Sequence, residues 1–172
     1  MRDANLILLN NVDCAAGSLI ATGVPTAPYV LVSTSIPTRP PLAGHIQTSP
    51  GPGDSVGLEI TCSQTFVDPG ACIVSLELVS TTTDDPVAIA TAMLATGDYV
   101  SHWKSQLIGS AAFKANKRIA TTLLPQDRFY RPYLTLFGIF TDSGLTSGRL
   151  SAKLAYLTNM VHTPPPDAVT HR

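Results

Sequence analysis

Four histidines, three cysteines and a few paired carboxylates are the residues from which this chain could build a reactive centre. His45, His102, His162 and His171 are scattered, and none has a Cys, an Asp or a second His at metal-ligand spacing. Cys14, Cys62 and Cys72 are an odd set without tight spacing, a poor disulfide framework. Cys62 and Cys72 fall on the apolar phase of alternating runs, which marks them as small core residues. No nucleophile elbow of the G-x-S-x-G type occurs. Gly51-Pro52-Gly53 lacks the Gly-Lys-Ser/Thr ending and the strand-to-helix setting of a phosphate loop. Asp84-Asp85 and Asp142 lack the D-x-D-x-D-G calcium pattern and read as turn and capping residues. No cofactor and no metal are expected, and the chain does not read as an enzyme.

The elements that would position any site are β-rich. At 172 residues the chain suits one domain that buries about 70% of its unfolded surface. Charged residues make up 13%, where soluble domains average about 25%. Glu occurs only at 59 and 77, and Thr, Ser, Pro and Gly are abundant. Helix-forming surface residues are thus scarce, and β and turn formers dominate. The net charge is -1 and the mean hydropathy +0.20. A free monomer usually keeps a charged, self-repelling surface, so this balance implies a subunit packed against others. The alternative is a secreted β domain with a polar, uncharged surface. Met1-Arg2-Asp3 leads straight to Leu6-Ile7-Leu8-Leu9, too short for a secretion signal. No apolar run approaches the roughly 20 residues of a membrane span. Synthesis in a cytoplasm and work without a membrane are the expectation.

Strands are expected near residues 5–9, 18–24 and 29–32. Residues 35–54 are rich in Pro and Gly and read as a long loop or extended arm, since Pro lacks the ladder donor of a central strand. Val56, Leu58, Ile60 and Cys62 alternate with polar neighbours, as do Cys72, Val74, Leu76 and Leu78 with Ile73, Ser75, Glu77 and Val79. Together they read as an antiparallel hairpin about Asp68-Pro69-Gly70. Residues 87–97 fit either a strand, which is preferred, or a short helix with Asp85 as N-cap, Pro86 at its first position and Gly97 at its end. Further strands are expected at 98–108 and 113–124. Tyr130 to Thr158 read as a second hairpin with a Gly/Ser turn, in which Leu150, Ala152, Leu154 and Tyr156 face in. Eight or nine short strands with regular turn signals predict an all-β, jelly-roll-like antiparallel sandwich over residues 1–160, followed by a Pro-rich tail at 161–172.

Positive charge is uneven. Lys104, Lys114, Lys117, Arg118, Arg128 and Arg131 fall in one third of the chain, whereas the first seventy residues carry only Arg2 and Arg39. With a pI near 6.4 and no aromatic-interleaved basic motif, nucleic acid is not the expected partner. An acidic protein surface fits better. Trp103 beside Lys104 suits an interface or a core position on a strand. The expected protein interface is therefore Arg39, Trp103, Lys104, Lys114, Lys117, Arg118, Arg128 and Arg131.

From about residue 71 to 157 the order of features resembles the jelly-roll cement proteins of tailed-phage heads, the family typified by the Bordetella phage cement protein. Carrying the resemblance are Val74-Ser75-Leu76-Glu77-Leu78-Val79-Ser80-Thr81-Thr82-Thr83-Asp84, then Leu124-Pro125 with Tyr130-Arg131-Pro132-Tyr133-Leu134-Thr135-Leu136, and last Leu145-Thr146-Ser147-Gly148-Arg149-Leu150-Ser151-Ala152. Here Pro132 separates Arg131 from Tyr133, a departure from the family's usual Arg-Tyr pair. The resemblance implies a virion structural protein without a catalytic site, made in the host cytoplasm. It would cement or decorate an icosahedral capsid by bridging major capsid protein subunits from outside, beside other copies of itself. One rival is a β-sandwich receptor- or carbohydrate-binding module of a phage particle. The other is a cupin-like enzyme, which would need a His/Glu metal cluster.

Overall fold

The computed structural model describes residues 7–15, 20–21, 29–37, 56–68, 71–95, 97–123, 131–141 and 145–156. In chain order these form β1 (Ile7–Asp13), β2 (Ile20–Ala21), β3 (Tyr29–Val32), β4 (Ile36–Pro37), β5 (Val56–Val67) and β6 (Ile73–Thr81). A helix, α1 (Pro86–Ala95), precedes β7 (Tyr99–Lys104), β8 (Ile108–Gly109), a 3-10 turn at Ser110–Ala112, β9 (Arg118–Leu123), β10 (Tyr133–Phe140) and β11 (Ser147–Tyr156). Arg39, Arg128, most of the Pro/Gly arm and the tail expected at 161–172 lie outside the described residues, as do Leu124-Pro125, Tyr130 and Asp142.

Two antiparallel sheets result. The first runs β1-β11-β5-β9, and the second runs β2-β3-β10-β6-β7, with β4 beside β10 and β8 beside β6. Chain order alternates between them: β1, β5, β9 and β11 belong to the first sheet, while β3, β6, β7 and β10 belong to the second. Among these eight strands only the step from β6 to β7, by way of α1, stays within one sheet. Eight strands wound in this order form a jelly roll, the double Greek key.

The inner faces explain why the sheets close on each other. Leu58, Ile60, Cys62, Leu150, Ala152 and Leu154 from the first sheet meet Val74, Leu76, Leu78, Leu134, Leu136 and Phe140 from the second, all buried. Each series recurs every second residue, so one face of each strand supplies the core. At one pole, Phe66 stacks on Phe113 at 4.4 Å between ring centroids and on Phe140 at 6.4 Å. Gly148 sits against Phe66 at φ +151, and a Cβ there would run into the ring, so the close approach requires glycine.

Both expected hairpins are replaced by crossings between the sheets. β10 pairs with β6 and β3, and β11 pairs with β5 and β1. β5 and β6 likewise lie in different sheets. Alternation with period two tells which face of a strand is buried; it does not tell which strand lies beside it. The connections at 68–72 and 141–146 are long enough to cross the ~10 Å between packed sheets. After the first, Asp68 Oδ2 accepts the backbone N–H of Cys72 at 2.8 Å.

Residues 86–95 are helical, which corrects the preferred strand. Asp85 Oδ1 accepts the N–H of Val87 at 3.1 Å, and the carbonyl of Asp85 accepts the N–H of Ile89 at 3.0 Å. Pro86 occupies the first turn, where its missing donor costs nothing. Gly97, at φ +73, donates to the Ala92 carbonyl and ends the helix. A second finding concerns β6. Glu77 and Val79, on the phase opposite the apolar Leu76 and Leu78, are 7% and 0% exposed. Their face of the second sheet also carries Thr135 and Phe137, directly opposite them on β10 and both fully buried.

Candidate interface

The outer face of the second sheet needs a cover, and α1 supplies it. Ile89 and Ala90 form a buried cluster with Val30 of β3 and Phe137 of β10, flanked by Val32, Met93 and Ile139. The opposite side of α1 faces out. Val87 is 62% and Leu94 37% exposed, and Ala88, Thr91 and Ala95 are exposed with them. No residue from Pro86 to Ala95 carries a charge. Thr91 turns its hydroxyl back to the Val87 carbonyl at 2.9 Å, which leaves even that side chain satisfied within the helix. A helix that is apolar all round is normally buried on all sides.

The outer face of the first sheet is different. Glu59 of β5 meets Lys153 Nζ at 3.1 Å and Arg118 Nε at 3.7 Å, so one carboxylate ties three strands together. Ser63 and Ser151 share a hydrogen bond of 3.1 Å, and Ser151 Oγ accepts the N–H of Asn11 at 3.0 Å. A shallow groove of about 220 Å³ follows the β-bulge in β1, lined by Ile7, Asn10, Glu59, Thr61, Ser151 and Lys153 among others.

The basic residues expected at an interface divide into two kinds. Arg131 is tied down: its Nη1 reaches the Asp98 carboxylate at 2.6 Å and the Asp98 carbonyl at 2.9 Å. Lys104 pairs with Glu77 at 3.4 Å, and Arg118 with Glu59. Trp103 is half-buried and packs against the core from β7. Lys114 and Lys117 are exposed and make no ion pair with any described residue. Both stand on a turn closed by the Lys117 N–H to the Lys114 carbonyl at 3.0 Å, with Asn116 at φ +63. The turn is fastened to β5 through the backbone: Asn116 donates to the Cys62 carbonyl and Cys62 to the Lys117 carbonyl, each at 2.8 Å. This arrangement uses only the backbone of the turn.

His102 Nε2 lies 2.8 Å from Ser80 Oγ, a pairing across β6 and β7 that the sequence spacing did not reveal. Ser80 is fully buried. Cys14, Cys62 and Cys72 are buried free thiols. Burial, with a further contribution from the Asp13 carboxylate, pushes the Cys14 thiol up to about 12, and burial also raises Cys62. The ordinary value is 9.0. An unfolded chain therefore loses the Cys14 proton first, and the associated stability is complete below pH 9 and lost as pH rises towards 12. The native protein should resist iodoacetamide at pH 8 and react after unfolding, as read by mass spectrometry; rapid native labelling of Cys14 would contradict its burial. Among the described residues no three His, Cys, Asp or Glu side chains converge as a metal site requires. His45, His162 and His171 lie outside the described residues. No helix among the described residues is long and apolar enough to cross a membrane.

Compared with protein-family models and with curated proteins, the chain matches none of them.

Proposed function

We propose that the protein is a virion structural subunit that cements or decorates an icosahedral phage capsid, bridging major capsid protein subunits from outside. The observation that supports this best is the charge-free outer side of α1, with Val87 and Leu94 exposed on a chain of unusually low charge. Such a surface suits a molecule that works covered by neighbours. The jelly roll supplies a stiff body, since two sheets interlock through one core, and many weak contacts repeated around a shell act by avidity. Localisation on the outer capsid surface, after synthesis in the host cytoplasm, belongs to the same reading. Lys117, and Arg118 where its exposed side chain is shared with Glu59, supply positive charge towards an acidic protein surface. Reversing both (K117E with R118E) should lower capsid occupancy in a co-sedimentation assay, whereas unchanged occupancy would remove that contact.

The groove beside Glu59 favours a second reading, a receptor- or carbohydrate-binding module. Its hydrogen-bonding lining suits a polar ligand, although no aromatic ring lines it as a stacking platform for sugars. A glycan-array signal lost on Glu59→Gln would favour this reading over the capsid one.

A further inference from the structure

Asp84 and Asp85, which lead into α1, and the lysine turn stand at opposite poles of the molecule. The 68–72 crossing joins the end of β5 to the start of β6, so Val67 and Ile73 mark one pole. β6 then runs nine residues to Thr81, about 30 Å at strand rise, and α1 begins at that opposite pole. The lysine turn docks on Cys62 and Thr65, in the half of β5 that ends at the first pole. The two regions therefore cannot neutralise each other within one molecule.

Their chemistry is complementary. Beside the apolar side of α1 stand Asp84 and Asp85, both exposed, and α1 itself contributes no positive charge. The connection from β7 to β9 has the reverse character. It carries Lys114 and Lys117 without acidic partners among the described residues, and Leu107, which is 73% exposed. Leu107 has the largest exposure of any large hydrophobic residue described. An apolar helix side preceded by acid thus matches a connection that carries both an exposed apolar side chain and base.

We propose that the outer side of α1 is the docking surface for the β7–β9 connection of a second copy of this chain, with Asp84 and Asp85 facing its Lys114 and Lys117. The two surfaces differ, so the contact is heterologous: each copy keeps one surface free for the next, and the copies extend into rings or open rows. From the capsid reading the proposal takes only that copies sit side by side. A small helix surface buries much less than the ~800 Å² per partner of a stable interface, so free copies associate weakly and the shell holds them in place.

Sedimentation equilibrium of the isolated protein tests this without capsids. At about 20 mM salt the mean mass should rise with concentration above the 18.1 kDa monomer, and at about 500 mM salt it should return to it, because exposed charge pairs are screened. K114E with K117E should lower the association constant about tenfold or more. Asp84→Lys with Asp85→Ser should do the same, the serine retaining an oxygen for the helix cap. Mixing the two variants should restore association, since each presents the sign the other lost. Leu107→Ser, at a site that contributes little to the fold, should weaken association without moving the melting temperature. A wild-type protein that stays monomeric at low salt, or a mixture that recovers nothing while both variants melt normally, overturns the proposal. Association in solution with bare capsids would instead remove the capsid reading and leave this one standing.

Discussion

The two sheets of this jelly roll share a core but turn opposite kinds of surface outward. The first sheet presents Glu59, Thr61, Ser63, Ser151 and Lys153, a polar network held by ion pairs and hydroxyls. The second presents Phe137 and Val79, fully buried, and needs α1 as a lid over Val30 and Phe137. The difference shows how an apolar surface is passed along. A solvated sheet finishes the fold at its own outer face. A sheet with two apolar faces requires a further layer, and here that layer is itself apolar on its far side.

Substitutions at matched places should separate the two faces. Phe137→Ala, under α1, should cost about 3–5 kcal/mol, while Thr61→Ala on the polar face should stay within about 0.5 kcal/mol; urea denaturation measures both. Equal costs would erase the distinction between the faces. Next in size, Asp85→Ala should cost about 1 kcal/mol through the lost helix cap, and hydrogen exchange should quicken in α1 before it does in β5. The smallest effect belongs to the polar face itself. Glu59→Gln removes two pairs whose cations are about half exposed, so the loss should be about 1 kcal/mol or less and should shrink further with added salt.

Much of this architecture was legible in the chain. Alternation placed Leu58, Ile60, Cys62, Leu150, Ala152 and Leu154 correctly on inner faces, and the turn signals gave an all-β sandwich. Partner strands were not legible, because Tyr133 to Phe140 and Ser147 to Tyr156 carry the same period whether they pair together or in separate sheets. Helix α1 was the less favoured of two readings for a related reason. Val87 to Ala95 is apolar at nearly every phase, so its periodicity favours neither state, and the capping set of Asp85, Pro86 and Gly97 decides it. The burial of Glu77 and Val79 could not be anticipated from alternation alone, which says nothing of what lies over a sheet's outer face. Among the interface candidates, charge alone could not distinguish Arg131, held by Asp98, from Lys117, held only through its backbone.

As proposed, the protein is a subunit that works covered by neighbours on a shell. Electron cryomicroscopy of empty tailed-phage heads mixed with the purified protein tests it most directly. The account predicts ordered density on the outer surface, lying over capsid-subunit junctions, with the outer side of α1 buried against a neighbour. Bare heads, or bound protein with α1 left open to solvent, would contradict it.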